Sequence, residues 1–397
     1  MQDESTWEQR RAHDLACAGV AVLDTDTGAL YRPGELLLDP RSIDRLRSET
    51  RDDRVRSDDE SNDRLTRAGV DLQRWLVPDG IDLPALQRVL SRQSQRAGSF
   101  VELNHVLTGE PIYKGGPGGE PQPCASPAMP AAGPPAKGAA PALAILDTGL
   151  PLPRPHHLVS TLVADDGTHN DLLDADGDAF LDTEAGHGTF IGGLVQRICA
   201  GLPVEQRRVL DSYGFGDDLT VCLGLVEATA PVINLSLGGY TGHNRAPAAL
   251  AAAVRACVHH TVVVAAAGNN ASDRRFWPAA LPGVVAVAAY DSATCSPAVF
   301  SNHGTWVDVC APGVALRSCY VKGHRGAPGA QIAFADAAIW SGTSFAAPLV
   351  AAEIARRALA DPSRSPRQVA NELLADLPDS GWPGFGVRFD PGVDLTV

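Results

Sequence analysis

From residue 141 onward, short apolar runs alternate with longer, helix-like segments. The apolar runs predict buried strands, and the intervening segments of about 10–15 residues predict helices. Continuous apolar strands separated by helices are typical of a parallel sheet covered on both faces. The pattern therefore predicts an α/β fold, a doubly wound and mostly parallel sheet. Its predicted strands are 142–146, 232–235, 261–267 and 284–288, and its predicted helices are 188–198, 219–229, 248–258 and 344–359.

The first part of the chain has a different texture. A strand is expected at 34–38, a charged Arg/Asp-rich run at 39–67, a helix at 83–92 and a strand at 100–104, which together predict a small α+β domain. Residues 115–140 are rich in Gly, Pro and Ala, as linkers are. We therefore predict an N-terminal domain (1–113), a linker (114–140) and a main domain (141–397).

Charge and composition exclude some classes of protein. The net charge of −14 over 397 residues argues against a nucleic-acid partner, since phosphate binding needs clustered Lys and Arg. No leader with a basic start and an apolar run is visible, and no apolar stretch of about 18 residues occurs. We expect no membrane span and a cytoplasmic location, or secretion if the natural start lies elsewhere.

The eight cysteines form no CxxC pair, so metal-type spacing is absent. Cys295, Cys310 and Cys319 are close enough in sequence for a disulfide, whereas a cytoplasmic chain would keep these thiols reduced. The sequence leaves both alternatives open.

Four polar residues stand in frames of small residues: Asp147 in AILDTGL, His187 in GHGTFIGG, Asn269 at the end of VVVAAAGN and Ser344 in SGTSFAAP. In parallel sheets the functional site lies at the carboxyl ends of the strands. Hydrolysis of an amide needs a nucleophile, a base, a group that orients the base and donors for the oxyanion. The four residues supply one candidate for each role.

The glycines of these frames have a physical purpose. Gly186 and Gly188 are expected to allow backbone to approach the imidazole, and Gly342 to permit a sharp turn into the helix of Ser344. Ser344 at a helix N-terminus gains from the positive end of the helix dipole, and its N–H can point at an oxyanion.

These blocks, in the order Asp, His, Asn, Ser, resemble the subtilase family, and the stretch around Asn269 is similar to the proteinase K branch. The resemblance covers about residues 141–391 and includes VINLSLGG and SNHGTWVDVCAPG. It implies a serine endopeptidase that cuts polypeptides through an acyl-enzyme intermediate and needs no cofactor for chemistry. Ser344 would be the nucleophile, His187 the base, Asp147 its orienting partner and Asn269 the oxyanion donor.

The resemblance also implies substrate-binding segments. Ser236, Leu237 and Gly238 would form an edge that pairs with substrate backbone, and Ala266, Ala267 and Gly268 would wall the pocket for the residue before the cleaved bond. Phe190 stands where the family usually has His, which implies a change in packing only.

Residues 100–107 resemble the last strand of a subtilase propeptide. The N-terminal domain would then be an intramolecular inhibitor, released by a cut between Tyr113 and Ala140. The alternative is a permanently attached domain that stabilises or recruits.

Two calcium sites are suggested. Asp174, Asp176, Asp178 and Asp182 have the 1-3-5-9 spacing of a calcium loop, but Gly177 is at position 4 and Ala185 at position 12. The alternative is a solvated acidic loop that favours basic residues in the substrate.

A second cation site, by resemblance to proteinase K, would use the carbonyls of Pro282 and Val284 and the carboxylate of Asp308. The alternative is that Asp308 caps local backbone.

Other classes of function remain as alternatives. A subtilase fold could have lost activity, or could present peptides without cutting them. A carboxyl-type serine peptidase would need Glu at His187 and Asp at Asn269, so the sequence rejects it.

Overall fold

The computed structural model describes residues 4–24, 28–94, 99–109, 119–130, 139–155, 158, 161–162, 168–326 and 331–396. Over these ranges the α-helices are α1 (Glu4–Cys17), α2 (Ile43–Thr50), α3 (Asp59–Arg67), α4 (Leu83–Ser94), α5 (His187–Ile198), α6 (Asp218–Glu227), α7 (Ala248–Cys257), α8 (Thr343–Ala360) and α9 (Pro366–Asp376). None of the helices in the described part of the chain combines the length and the apolar character that crossing a membrane requires.

The strands of the same ranges are β1 (Ala21–Asp24), β2 (Ala29–Leu38), β3 (Arg56–Ser57), β4 (Gln73–Leu76), β5 (Val101–Thr108), β6 (Gln122–Pro123), β7 (Leu143–Asp147), β8 (Thr161–Leu162), β9 (Val204–Arg208), β10 (Phe215–Asp217), β11 (Val232–Leu235), β12 (Val262–Ala266), β13 (Val284–Asp291), β14 (Ser296–Pro297), β15 (Val309–Pro312), β16 (Leu316–Cys319), β17 (Gly323–Arg325), β18 (Ile332–Phe334), β19 (Ala337–Trp340) and β20 (Val387–Arg388).

The chain forms two compact units. The first unit contains residues 1–107, 216–227 and 239–257, and the second contains residues 108–215, 228–238 and 258–397. Each unit is therefore assembled from several stretches of the chain. The division into an N-terminal domain, a linker and a main domain stays a prediction.

The first unit contains an antiparallel sheet in the order β5-β2-β4-β3, with β1 against β2. Its core includes Leu36 and Leu38 of β2, Trp75 of β4 and Leu90 of α4, each almost fully buried. The predicted strand at 34–38 is the end of the longer strand β2, and the predicted helix at 83–92 is most of α4.

The charged run at 39–67 folds more than its composition indicates. It contains α2 and α3, each held to the unit by one buried leucine, Leu46 and Leu65 respectively. Asp58 caps α3 by accepting the N–H of Ser61. One buried leucine in each helix, together with a capping side chain, is thus enough to stabilise short helices in a polar stretch.

The second unit is built on a sheet in the order β20-β15-β13-β12-β11-β7-β9-β8, with β14 against β13. Every pair on that path is parallel, and only the β13–β14 pair is antiparallel. The apolar faces of α5 and α8 pack with the strands into one large core. The predicted α/β fold with a mostly parallel sheet is confirmed.

Part of the predicted linker is ordered into this unit. Strand β6, from residues Gln122 and Pro123, pairs with β19, and Met129 packs against Leu150 and Cys319. Pairing with an existing strand needs few apolar residues, which is why the composition of this stretch did not reveal it.

Candidate active site

His187 and Asp147 are brought together at one edge of the sheet of the second unit. Asp147 is the last residue of β7, and His187 is the first residue of α5. The distance from His187 Nδ1 to Asp147 Oδ1 is 2.8 Å, and both side chains are almost completely buried. The same carboxylate oxygen accepts the N–H of Thr148. The imidazole is therefore fixed in orientation by a charged hydrogen bond away from solvent.

A second carboxylate holds the backbone around the histidine. Asp171 Oδ2 accepts the N–H of Gly186 at 2.8 Å and the hydroxyl of Thr148 at 3.0 Å. Gly186 has φ of 82°, a conformation that favours glycine, and a Cβ there would also meet the side chains of Val321 and Tyr320. A Cβ on Gly188 would lie 2.6 Å from a backbone oxygen, so glycine is required there too.

The electrostatics around His187 are dominated by acids. Burial by itself would lower the pKa of this imidazole, but the carboxylates of Asp147 and Glu184 outweigh it and raise the pKa to about 9. Burial raises the pKa of Asp171 to about 7, and of Glu184 to about 7. An imidazole in such a field is a strong proton acceptor and is stabilised once charged.

Ser344 is the second residue of α8 and lies in the same small cleft as His187 and Asn269. Its hydroxyl is 3.2 Å from the carbonyl oxygen of Gly109 and 3.3 Å from that of Ser236. Among the described residues these carbonyls, and not His187, are its hydrogen-bond partners. The hydroxyl is thus directed at the backbone of a chain segment that occupies the cleft.

The expectation for Gly342 was wrong. Its φ is 166°, which is extended backbone that any residue adopts, and a Cβ there would have only ordinary contacts. The entry into α8 therefore does not require glycine for conformational reasons.

Asn269 follows β12, and its side-chain oxygen is held by Thr343. Both the N–H and the hydroxyl of Thr343 donate to Asn269 Oδ1 at 2.9 Å. Asn269 also lines the small cleft that Ser344 lines. The first residues of α8 thus orient both the serine and the asparagine.

Residues 236–238, the predicted substrate-binding edge, lie beside residues 108 and 109 of the same chain. Thr108 N–H donates to Gly238 O at 2.7 Å, and Gly238 N–H donates to Thr108 O at 2.9 Å. The next residue, Gly109, donates its N–H to Gly214 O at 3.1 Å. Ser236 Oγ donates to the carbonyl of Ser344, and Leu237 is buried. Residues 108 and 109 therefore lie between two backbone rims, as an extended peptide would.

The other predicted segment is held firmly. Ala266 and Ala267 are buried, Ala267 O accepts from Asn302 Nδ2, and Gly268 N–H donates to Thr343 Oγ1. The bond from Gly268 to Thr343 ties the segment to the start of α8, which carries Ser344.

Phe190 is fully buried in an aromatic cluster below the site. Its ring lies 4.6 Å from that of Phe345 and 5.7 Å from that of Trp340. The same two rings contact the imidazole of His187 at 5.3 and 5.4 Å. Packing, and not proton transfer, is thus what the residue at position 190 contributes.

The predicted metal ligands are brought together only in part. Oxygens of Asp174, Asp176 and Asp182 lie within 4.8 Å of one another, whereas Asp178 is outside this group. Asp174 also accepts three backbone N–H groups, from residues Gly177, Asp178 and Ala179. Three carboxylate oxygens at this spacing fit the donor set that Ca²⁺ prefers.

The second suggested cation site fits less well. Asp308 Oδ2 accepts the N–H of Ala286 at 2.8 Å, which is the local capping role that the sequence left open. Val284 begins β13, and Pro282 precedes it in the turn. The carboxylate of Asp308 is thus hydrogen-bonded to backbone.

All eight cysteines are free thiols, so Cys295, Cys310 and Cys319 form no disulfide in this structure.

Sequence reasoning missed two functional positions. Glu184 Oε2 lies 3.6 Å from His187 Nδ1, and its place three residues before the histidine is a signal that could have been noticed. Gly109 has no comparable signal, because its place in the cleft depends on the path of the chain in space.

Comparisons with known proteins show which family the chain resembles. A family model described as the subtilase family matches residues 138–386. Subtilisin from Bacillus pumilus is 31% identical over 231 residues, which cover 52% of this chain and 78% of that protein. An extracellular serine proteinase from Thermus sp. (strain Rt41A) is 36% identical over 200 residues, covering 48% of this chain and only 45% of that protein.

Solved structures are also similar. A protease from Pseudoalteromonas arctica PAMC 21717 has a TM-score of 0.52 and 26% identity, over 63% of this chain and 87% of that chain.

Proposed function

The chain belongs to the subtilase family of serine endopeptidases, and from that premise we propose that it cuts polypeptides with Ser344 as nucleophile. His187 takes the proton of the serine, and Asp147 orients the imidazole. The observation that carries the proposal is the 2.8 Å contact between His187 and Asp147, beside a cleft that Ser344 and Asn269 also line.

The reaction proceeds in two halves. Ser344 Oγ attacks the carbonyl carbon while its proton passes to His187 Nε2. The oxyanion receives hydrogen bonds from the amide of Asn269 and the backbone N–H of Ser344. The intermediate then expels the amine, which takes the proton from His187, and water hydrolyses the acyl-enzyme by the same steps. No cofactor takes part in these steps.

Substrates bind in extended form along residues 236–238. The pairing of Thr108 with Gly238 supports this mode, since it satisfies the backbone hydrogen bonds that a substrate strand would make. Backbone pairing carries little sequence information, so polypeptides of many sequences would be accepted, with Ala266, Ala267 and Gly268 shaping one pocket.

A fluorophosphonate probe tests the activity. Only an activated serine reacts with it, so wild type should be labelled and Ser344→Ala should not. The wild type should also hydrolyse casein or a fluorogenic peptide library. An unlabelled wild type that cuts no peptide, even after limited proteolysis of residues 110–140, would remove the proposal.

We also propose that residues 1–113 inhibit the enzyme intramolecularly. Thr108 pairs with Gly238, and Gly109 lies in the cleft beside Ser344, which supports this role. The cut is expected between Tyr113 and Ala140, and residues 113–118 and 131–138 of this stretch lie outside the described residues. Mass spectrometry should find a cut there in wild type and an intact chain in Ser344→Ala; two intact chains would contradict self-processing.

Structural calcium at Asp174, Asp176 and Asp182 is a further proposal. Their mutual approach supports it, and the ion would tie together the ends of an acidic loop. A chelator should lower the unfolding temperature of wild type and leave that of Asp176→Asn unchanged. Equal unfolding temperatures with and without chelator would exclude it.

A further inference from the structure

Glu184 is a buried carboxylate that the proposed mechanism does not use. Its side chain is fully buried, and neither carboxylate oxygen has a hydrogen-bond partner among the described residues. Its backbone is engaged, because its N–H donates to Ser212 O and its carbonyl accepts the N–H of His187. A buried polar group without a partner is costly, and such groups in native proteins call for a functional explanation.

The carboxylate of Glu184 faces the position of a missing side chain. A Cβ on Gly109 would lie 2.8 Å from Glu184 Oε2 and 3.3 Å from Oε1. On the other side, a Cβ on Gly214 would lie 2.2 Å from Glu184 Cγ, so the glycine there makes room for this side chain. The carboxylate thus stands between two glycines and is aimed at the side-chain position of residue 109.

Residue 109 occupies the position of a substrate residue. Its N–H is bound by Gly214 O, its carbonyl lies 3.2 Å from Ser344 Oγ, and the preceding Thr108 pairs with Gly238. The backbone of Gly109 is not in the left-handed region. A residue with a side chain can therefore take the same backbone position, and its side chain would meet Glu184.

The carboxylate nearest this position lies among charges of both signs. The carboxylates of Asp147 and Asp171 act on Glu184, as do the imidazole of His187 and the guanidinium of Arg325. Arg325 is engaged with the backbone carbonyls of Asp182 and Thr183. We infer that Glu184 is a specificity-determining residue that selects a basic side chain at the substrate position occupied by Gly109.

The physical reason is that the side chain of Lys or Arg would supply the hydrogen-bonded cationic partner that the carboxylate of Glu184 lacks. The atoms nearest the Gly109 position are the far end of a flexible side chain, which can swing aside for a Cβ and then pair with an ammonium or guanidinium. Gly109 has no side chain and offers no such partner, so the chain's own segment leaves the carboxylate of Glu184 unpaired. The inference rests on the proposed function, since it assigns a preference to the same site.

The first test uses the full-length chain in a Ser344→Ala background, where no cleavage is needed. Gly109→Lys should unfold at a temperature about 2–4 °C above that of the uncharged Gly109→Met. The difference should vanish when Glu184→Gln is added and persist with Glu205→Gln, a matched variant of an acid that pairs with Arg207 and Thr229. Equal temperatures for Lys and Met, or a difference that survives Glu184→Gln, would overturn the inference.

The second test measures cleavage of a peptide library by the wild type. Peptides with Lys or Arg at the substrate position that Gly109 occupies should be cut with kcat/KM at least about 10-fold above those with Met at that position, and in Glu184→Gln the ratio of the two values should fall to about 1. Cleavage without any such preference contradicts the inference but leaves the proposed function intact. Absence of both cleavage and probe labelling contradicts the proposed function, and the unfolding comparison then still decides the role of Glu184.

Discussion

Two buried histidine–aspartate pairs occur in the described part of this chain, one in each compact unit. In the second unit, His187 Nδ1 lies 2.8 Å from Asp147; in the first, His105 Nδ1 lies 2.9 Å from Asp218. Burial lowers the pKa of each imidazole, and in both cases the partner carboxylate outweighs it, so that the pKa is raised. Each pair also has a glutamate nearby. By local geometry the two pairs are nearly the same.

The two histidine–aspartate pairs differ in the residues that surround them. Beside His105, Asn104 Oδ1 accepts the N–H of Leu219 in α6, and Glu102 Oε2 accepts the N–H of Ala248 in α7. The polar side chains of the first unit therefore satisfy free N–H groups at two helix starts. Beside His187, Ser344 and Asn269 line a cleft. These surroundings support a catalytic role for the Asp147–His187 pair, as proposed above, and a structural role for the Asp218–His105 pair.

The largest expected effect comes from removing the charge of each aspartate. Asp147→Asn should lower kcat on a fluorogenic peptide by about 10⁴-fold, because the imidazole loses its orientation and the stabilisation of its charged form. Asp218→Asn should change kcat less than about 3-fold, and lower the unfolding temperature instead. Comparable losses of kcat in the two variants would mean that the pairs do not differ in role.

A smaller effect is expected for the two buried asparagines. Asn269→Ala should lower kcat by about 10²–10³-fold with little change in KM, because its amide binds the oxyanion and not the ground state. Asn104→Ala should leave kcat unchanged and lower the free energy of unfolding by about 1 kcal/mol, since Leu219 loses the acceptor for its N–H. Steady-state kinetics and urea unfolding separate the two; a change in KM alone for Asn269→Ala would contradict the oxyanion role.

Much of this could be predicted from the sequence because the strands of the second unit are continuous apolar runs. The strand expected at 232–235 is β11 itself, and the helix expected at 344–359 differs from α8 by one residue at each end. The small-residue frames also indicated which polar residues to examine. Local pattern and short motifs carry these features.

The features that the sequence did not reveal depend on long-range contacts. Gly109 reaches Ser344 across more than two hundred residues of sequence, and no local pattern reports such a contact. The same holds for His105 and Asp218, which are separated by 113 positions. Strand β6 escaped notice because an added strand draws on the hydrogen bonds of its partner and not on its own apolar residues.

A third effect is a dependence of stability on pH that both pairs should share. The pKa of Glu184 and that of Glu102 are raised, mainly by burial, from 4.5 to about 7. The native state therefore holds these protons more tightly than the unfolded chain, so the free energy of unfolding falls as pH rises from about 4.5 to 7. Each glutamate contributes at most roughly 3 kcal/mol to this fall.

Chemical unfolding across this pH range provides the measurement. The groups that act on Glu184 are His187, Asp147, Asp171 and Arg325, and those that act on Glu102 are His105 and Asp218. Glu184→Gln and Glu102→Gln should each flatten the decline, and the double variant should flatten it most. If Glu184→Gln alone removes the whole decline, the resemblance between the two pairs does not extend to their glutamates.

The smallest expected effect is the coupling free energy of an exposed ion pair in the first unit, compared with that of the buried His105–Asp218 pair. Arg64 of α3 makes two contacts of 2.7 and 2.9 Å with Glu227 of α6, but these side chains are 38% and 31% exposed. Solvent screens such a pair, so a double-mutant cycle with Arg64→Met and Glu227→Gln should give a coupling below about 1 kcal/mol that 1 M salt removes. The cycle with His105→Gln and Asp218→Asn should give a coupling free energy of about 1.5–3 kcal/mol, which salt hardly changes. That pair is buried, and its hydrogen bond is made to a charged carboxylate. A stronger coupling for the exposed pair would show that burial is not what makes the histidine–aspartate pairs of this protein strong.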